Sequence, residues 1–233
     1  AGGFAEMANS RAYLAEFLGT FFLCFAGIGA VLSGTPAVGA GGGLVAIALA
    51  QGLALSAAVS LFGGISGAHF NPAVTIGMMA TRRIGPAAAG VYIGVQLAGA
   101  IAAALVCRAV FPPAASAQAL VGLPLPQAWV TPYGLLLAEI VMTFLLMLAI
   151  YGTAIDERGR AVKIGALAIG LTYAFNILAA GAVTGASMNP ARSFGPALLS
   201  GVWTHHVYYW IGPVIGATLA ALLYDRVLLD RRT

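Results

Sequence analysis

Of the 233 residues, 61% are hydrophobic and 8% are charged, whereas an average soluble domain is roughly a quarter charged, so a water-soluble fold is excluded. The net charge of +4 comes from basic residues scattered over short connections rather than gathered in a stripe, which excludes a nucleic-acid partner and marks them as topology signals. About 20 apolar residues cross a bilayer as a helix, and stretches free of Asp, Glu, Lys and Arg at 17–81, 84–107, 164–191 and 193–224 supply several crossings.

In chain order, the first ten residues, AGGFAEMANS, lack the charged start and apolar core of a signal peptide, so no cleavable leader is expected. Spans follow near 12–32 and 44–65, separated by the glycine cluster at 39–43. A short apolar segment at 71–79 comes next, then a span at 86–110. The stretch 111–130 carries four prolines and is expected to form no regular helix. Further spans lie near 132–154, 163–182 and 207–229, with a second short segment at 189–199 between the last two. At about 1.5 Å per residue each short segment is half a crossing. The expected fold is therefore all-α and integral to the membrane, with six transmembrane helices and two re-entrant half-helices at 71–81 and 189–200. Cys24 and Cys107 fall in apolar segments, where a buried thiol is expected rather than a disulfide or a metal site.

The two halves repeat each other. Ala15, Glu16, Thr20 and Phe21 match Ala138, Glu139, Thr143 and Phe144, and Ser-Gly-Ala-His-Phe-Asn-Pro-Ala-Val-Thr-Ile-Gly (66–77) matches Thr-Gly-Ala-Ser-Met-Asn-Pro-Ala-Arg-Ser-Phe-Gly (184–195). Tyr92, Gln96 and Gly99 keep the spacing of Tyr209, Pro213 and Gly216. Three spans per repeat is an odd number, so the second repeat is inverted. This divides the chain into a first repeat at 1–110, an extracellular connection at 111–131 and a second repeat at 132–233. Placing both termini in the cytoplasm puts Arg11, Arg82, Arg83, Arg158, Arg160, Lys163, Arg226, Arg231 and Arg232 there, against Arg108 outside and Arg192 within the fold.

Asn71, Pro72 and Ala73, and likewise Asn189, Pro190 and Ala191, open the half-helices, since proline suits a first helical turn. The chain before each must then be non-helical inside the membrane, which is tolerated only where it is buried or lines a wet cavity. The carbonyls of Gly67, Ala68, His69, Gly185, Ala186 and Ser187 are expected to face such a lumen. Two facing helix N-termini carry roughly half a positive charge each; one unit charge at about 5 Å and dielectric about 20 is worth on the order of 3 kcal/mol, enough to disfavour cations and hydronium.

The paired Asn-Pro-Ala motifs, with Ala-Glu-Phe-Leu-Gly-Thr-Phe early and Asn-Pro-Ala-Arg-Ser-Phe-Gly-Pro-Ala late, resemble the aquaporin (major intrinsic protein) family across nearly all the chain. The resemblance implies passive water conduction, a homotetramer with one pore per subunit, and Asn71 and Asn189 amides that donate to single-file water. It also implies a second filter at Gln51, Ile177, Ala186 and Arg192. That set is similar to plant tonoplast intrinsic proteins, where strict water channels usually carry Phe and His at the positions of Gln51 and Ile177. Ser193, Ala197, Tyr209 and Trp210 are of the water-channel type.

Glu16 and Glu139, intramembrane carboxylates that by default suggest an ion or proton site, are read instead as structural acceptors for the re-entrant loops because they occupy equivalent repeat positions. His69 is read as a fixed hydrogen-bonding group, His205 and His206 as extracellular loop residues, and Gly90, Gly94, Gly99, Gly212 and Gly216 as sites of close helix packing. The expected partners are water, small neutral solutes and membrane lipid; no cofactor or metal is expected. The alternatives are a broader channel for glycerol, urea, ammonia or hydrogen peroxide, and a secondary transporter. An enzyme is not expected, because no His-Glu-x-x-His, Gly-x-Ser-x-Gly or cysteine cluster occurs.

Overall fold

The computed structural model describes residues 2–229, with side chains described from Ser10; Arg231 and Arg232, counted above among the cytoplasmic charges, lie outside the described residues. Proline and asparagine punctuate the helices. α1 (Gly2–Ser33) and α2 (Gly43–Ser66) are followed by the half-helix α3 (Pro72–Ala80) and by α4 (Pro86–Val110). After the connection come α6 (Pro132–Ile150), whose last turn widens to a π-helix at Tyr151–Ile155, and the short α7 (Glu157–Arg160). α8 (Gly165–Thr184), the half-helix α9 (Pro190–Ser200) and α10 (Tyr208–Leu223) follow, α10 running on into a π-helical turn at Tyr224–Leu228. Proline stands at the start of α3, α4, α6 and α9, and glycine in the left-handed region closes α2, α8 and α9 at Gly67, Gly185 and Gly201, the positions where each residue's backbone preference is an advantage.

Six of these helices are long and apolar enough to cross a membrane. Leu53, Leu61, Val110 and Leu171 on their outer faces are all more than half exposed, the pattern of a surface that lipid rather than water covers. The connection departs from expectation: it holds a six-residue helix, α5 (Pro113–Gln118), and a tight turn at Leu120–Gly122. Pro113 opens α5 instead of breaking it, which proline can do because a first-turn N–H needs no partner.

The packing is doubly symmetric. α1 packs on α2 and α4, as α6 packs on α8 and α10. Each half-helix crosses to the other repeat, α3 against α10 and α9 against α4. Glycines make these approaches. A Cβ on Gly99 would lie 2.4 Å from the Phe17 carbonyl oxygen, and one on Gly216 would lie 2.2 Å from that of Ile140. On the pseudo-axis Gly52 and Gly170 face each other, so that a Cβ on either would sit 2.6 or 2.2 Å from the other's carbonyl oxygen. Gly212 is likewise filled by Glu139. Gly90 and Gly94, which the sequence pairs with Gly99 as packing glycines, approach no other helix of this chain and stand on the exposed side of α4. Spacing alone does not say which side of a helix faces a neighbour.

A candidate pore

Each re-entrant loop is tied to a buried carboxylate. Glu16 accepts from the Ser66 hydroxyl (2.7 Å), from the backbone N–H groups of His69 (2.9 Å) and Phe70 (2.7 Å), and from the Gln96 amide (2.8 Å). Glu139 does the same in the other repeat, accepting from the Thr184 hydroxyl (2.8 Å) and from the N–H groups of Ser187 (3.1 Å) and Met188 (2.8 Å). Both are fully buried. A carboxylate with every neighbour donating to it is satisfied and has a structural duty. A tyrosine closes each loop from outside: Tyr92 donates to the Ser66 carbonyl and Tyr209 to that of Thr184.

The anchors hold the loops in a conformation they would not adopt alone. Gly67, Ala68 and Phe70 have φ of 84°, 54° and 49°, and their counterparts Gly185, Ala186 and Met188 have 81°, 43° and 52°. Left-handed backbone at a non-glycine residue costs of order 1–3 kcal/mol, which the carboxylate bonds offset. The chain then swings to extended backbone at Asn71 (φ −158°) and Asn189 (φ −152°), each the N-cap of its half-helix.

The asparagines cross the molecular centre. The Oδ1 of each caps its own helix, accepting from Ala73 N–H and from Ala191 N–H at 2.9 Å. One amide N–H reaches into the opposite repeat: Asn71 donates to the Met188 carbonyl and Asn189 to the Phe70 carbonyl, both at 2.8 Å. A carboxamide nitrogen carries two hydrogens, so each asparagine keeps one further donor. Below them runs a narrow cavity lined by His69, Asn71, Asn189, Leu55, Ile150 and Tyr173 among others, with about 10 Å³ of room for water centres, close to what a single water occupies.

The residues read as a second filter come from four elements. Gln51 is fully buried on α2, its carboxamide against Gly27 of α1, and neither its nitrogen nor its oxygen has a protein partner. Ile177 on α8 and Ala186 in the second loop meet across Gly181. Arg192 on α9 is 2% exposed; its Nη1 donates to the Gly122 carbonyl at 3.0 Å and its Nε has no protein partner. Gly122 ends the turn in which Leu120, Val121 and Gly122 have φ of 46°, 58° and 73°.

Two readings change. The Ser187 carbonyl, expected to face the lumen, is taken up by the Tyr173 hydroxyl, from which it accepts at 2.9 Å; the position equivalent to Tyr173 in the first repeat is Leu55, so symmetry gave no warning. Gln96, noted only for spacing, bridges Glu16 and Thr75 of α3, while proline stands at its counterpart, Pro213. The pairs Ser66 with Thr184 and Tyr92 with Tyr209 were visible as repeated hydroxyl residues. His69 is fixed as read, its Nδ1 3.1 Å from the Thr75 hydroxyl.

Comparison with known proteins accounts for this arrangement. A sequence model of the family described as "Major intrinsic protein" matches residues 4–224. "Aquaporin TIP4-4" of Zea mays is 43% identical over 225 residues, covering 94% of this chain and 87% of the relative. "Probable aquaporin TIP3-2" of Oryza sativa subsp. japonica is 44% identical, covering 95% and 83%. Among solved structures, the aquaglyceroporin from Plasmodium falciparum superposes with a TM-score of 0.85 at 26% identity, covering 94% of this chain and 97% of that one.

Proposed function

The chain belongs to the major intrinsic protein family, and from that membership we propose that it is a passive, multi-pass membrane channel that conducts water and excludes protons and ions. It is a channel, not an enzyme. The observation that carries the mechanism is the crossed pair Asn71 and Asn189: with one N–H fixed to the opposite repeat and the Oδ1 fixed to its own helix, each has a single donor left for the lumen. Two such donors hold a central water as an acceptor only, and its own hydrogens then point away to either side. A proton-relaying chain is broken there, while water itself moves on by exchanging equivalent hydrogen bonds. The facing half-helix N-termini add a positive potential that opposes cations.

The finer reading assigns selectivity to Gln51, Ile177, Ala186 and Arg192. An apolar Ile177 and a small Ala186 opposite the polar groups of Gln51 and Arg192 make an opening that suits small amphipathic solutes such as ammonia, peroxide or urea beside water. The likeness to an aquaglyceroporin favours a spectrum wider than water. Both termini are assigned to the cytoplasm and the location to the cell membrane, a reading that the basic connections support: Arg83 pairs with Asp225 at 2.8 Å and Arg158 donates to the Leu228 carbonyl, so both connections meet the π-helical turn Tyr224–Leu228 that follows α10. The assembly is a homotetramer in the same reading, with one pore per subunit.

Stopped-flow osmotic measurements on vesicles reconstituted with the purified protein test the proposal. Water flux well above that of protein-free vesicles, linear in the gradient and without proton leak, is the expected result. Flux that saturates with solute, or that requires an ion gradient, would instead identify a transporter.

A further inference from the structure

We propose that Tyr173 is a selectivity determinant of the channel: its ring narrows the lumen at the level of the asparagine pair, so that glycerol is stopped there and not at the outer filter. The inference rests on the channel and filter readings above. Gly52 and Gly170 touch on the pseudo-axis, and three residues further along α2 and α8, at repeat-equivalent positions, stand Leu55 and Tyr173. Both line the narrow cavity that Asn71 and Asn189 also line. Where one repeat presents an isobutyl group to the lumen, the other presents a phenol.

Three observations carry this. The first is space. The cavity offers about 10 Å³ of room for water centres, close to what one water needs, and glycerol is several times larger. The second is that the ring is fixed. Tyr173 is fully buried and its hydroxyl donates to the Ser187 carbonyl at 2.9 Å, so the phenol reaches from α8 to the second re-entrant loop. Glu139 holds that loop in turn through the Ser187 and Met188 N–H groups, and a side chain pinned at both ends does not swing aside for a passing solute. The third is polarity. The Tyr173 hydroxyl occupies the Ser187 carbonyl, an acceptor that a solute hydroxyl would otherwise use. Leu23, Leu146, Ile150 and Ile169 supply much of the remaining wall, so glycerol would enter with hydroxyls left unpaired. Water fits the space and is served by the asparagine donors. Barriers in series pass a solute at the rate of the highest one, so an outer opening wide enough for amphipathic solutes does not by itself admit glycerol. Ammonia and peroxide, little wider than water, clear both.

The test compares vesicles reconstituted with the full-length wild type, Tyr173→Leu, Tyr173→Phe and Ile177→Ala, each measured by stopped-flow with an impermeant osmolyte for water and with a glycerol gradient. Wild-type vesicles are expected to pass glycerol no faster than protein-free ones. Tyr173→Leu, which installs the residue of the other repeat, should raise glycerol flux at least tenfold with water flux retained. Tyr173→Phe loses the same hydrogen bond but keeps the ring, and should still exclude glycerol. A residue that only tied α8 to the loop would make these two variants behave alike. Ile177→Ala widens the outer filter and leaves Tyr173 in place, so glycerol should stay at background; this arm decides the matter even if Tyr173→Leu fails to fold. Glycerol flux in the wild type, its appearance in Ile177→Ala or in Tyr173→Phe, or its absence from a Tyr173→Leu variant with intact water flux overturns the proposal. Wild-type vesicles without water flux would remove the channel reading itself, a result distinct from all of these.

Discussion

Arg192 is the sole Asp, Glu, Lys or Arg between residues 164 and 224, and it stands in the first turn of α9, where the helix dipole already disfavours a cation. A buried guanidinium in so costly a position, with Nε left open and Nη1 held by the Gly122 carbonyl, fits a group kept for what passes it. Arg192→Val is expected to preserve water flux while opening a proton or cation leak; reconstituted vesicles carrying a pH-sensitive dye read the difference, and unchanged selectivity in a folded variant removes Arg192 from the filter. Glu139 differs in kind, since its three donors belong to the loop that it holds. In Glu139→Gln one acceptor oxygen becomes a donor facing donors. A loss of about 2–4 kcal/mol follows from leaving buried N–H groups unpaired, and it should appear as a lowered melting temperature before any change in selectivity.

At the scale of elements, the helices meet where glycine lets backbone touch backbone. Gly216→Ala must push its methyl against the Ile140 carbonyl oxygen, and overpacking of this sort costs about 1–3 kcal/mol. Gly90→Ala meets open space and should be neutral or stabilising by up to about 1 kcal/mol through helix propensity. Melting curves of the pair in detergent separate a packing glycine from a merely repeated one. The connection between α9 and α10 holds together differently. The Trp210 indole N–H donates to His206 Nε2 at 3.1 Å, while Phe194 and Trp203 pack on the same imidazole. None of those three rings titrates, and the neighbouring His205 stacks on Tyr208 instead. Indole can only donate, so His206 must be neutral with Nε2 as acceptor, and burial lowers its pKa from the usual 6.5. A histidine whose folded pKa is depressed contributes stability that is present above 6.5 and lost as pH falls through the folded value, because the unfolded chain takes up the proton first. Between pH 7.5 and 5 the wild-type melting temperature should therefore fall more than that of His206→Gln, which keeps an uncharged acceptor; parallel curves would show that His206 does not carry the dependence.

For the whole molecule, the six spans and the two half-helices were legible because uncharged length and proline placement have few other solutions in a membrane, and the repeat was legible because Glu16 and Glu139 perform identical work. What breaks the symmetry was not legible. Tyr173 and Gln96 have Leu55 and Pro213 as counterparts, and their hydrogen bonds depend on side chains arriving from distant helices. In the proposed filter Gln51 and Ile177 are likewise not repeat counterparts, and they stand on α2 and α8, which pack against each other. The buried Gln51 carboxamide has no protein partner at either end, and the proposed filter role would supply one in the molecules that pass. Gln51→Phe with Ile177→His adds an aromatic wall and a second polar ring opposite Arg192, so the opening narrows and loses its apolar side. Ammonia, peroxide and urea flux should then drop below detection while water flux stays within a few-fold of wild type, because water is the smallest of them and needs only a chain of hydrogen-bonding groups. Stopped-flow traces with each solute on matched vesicles give the comparison. Solute flux that persists in the double variant, or wild-type vesicles that already pass water alone, would show that Gln51 and Ile177 do not set the width and that the constriction is formed by other residues.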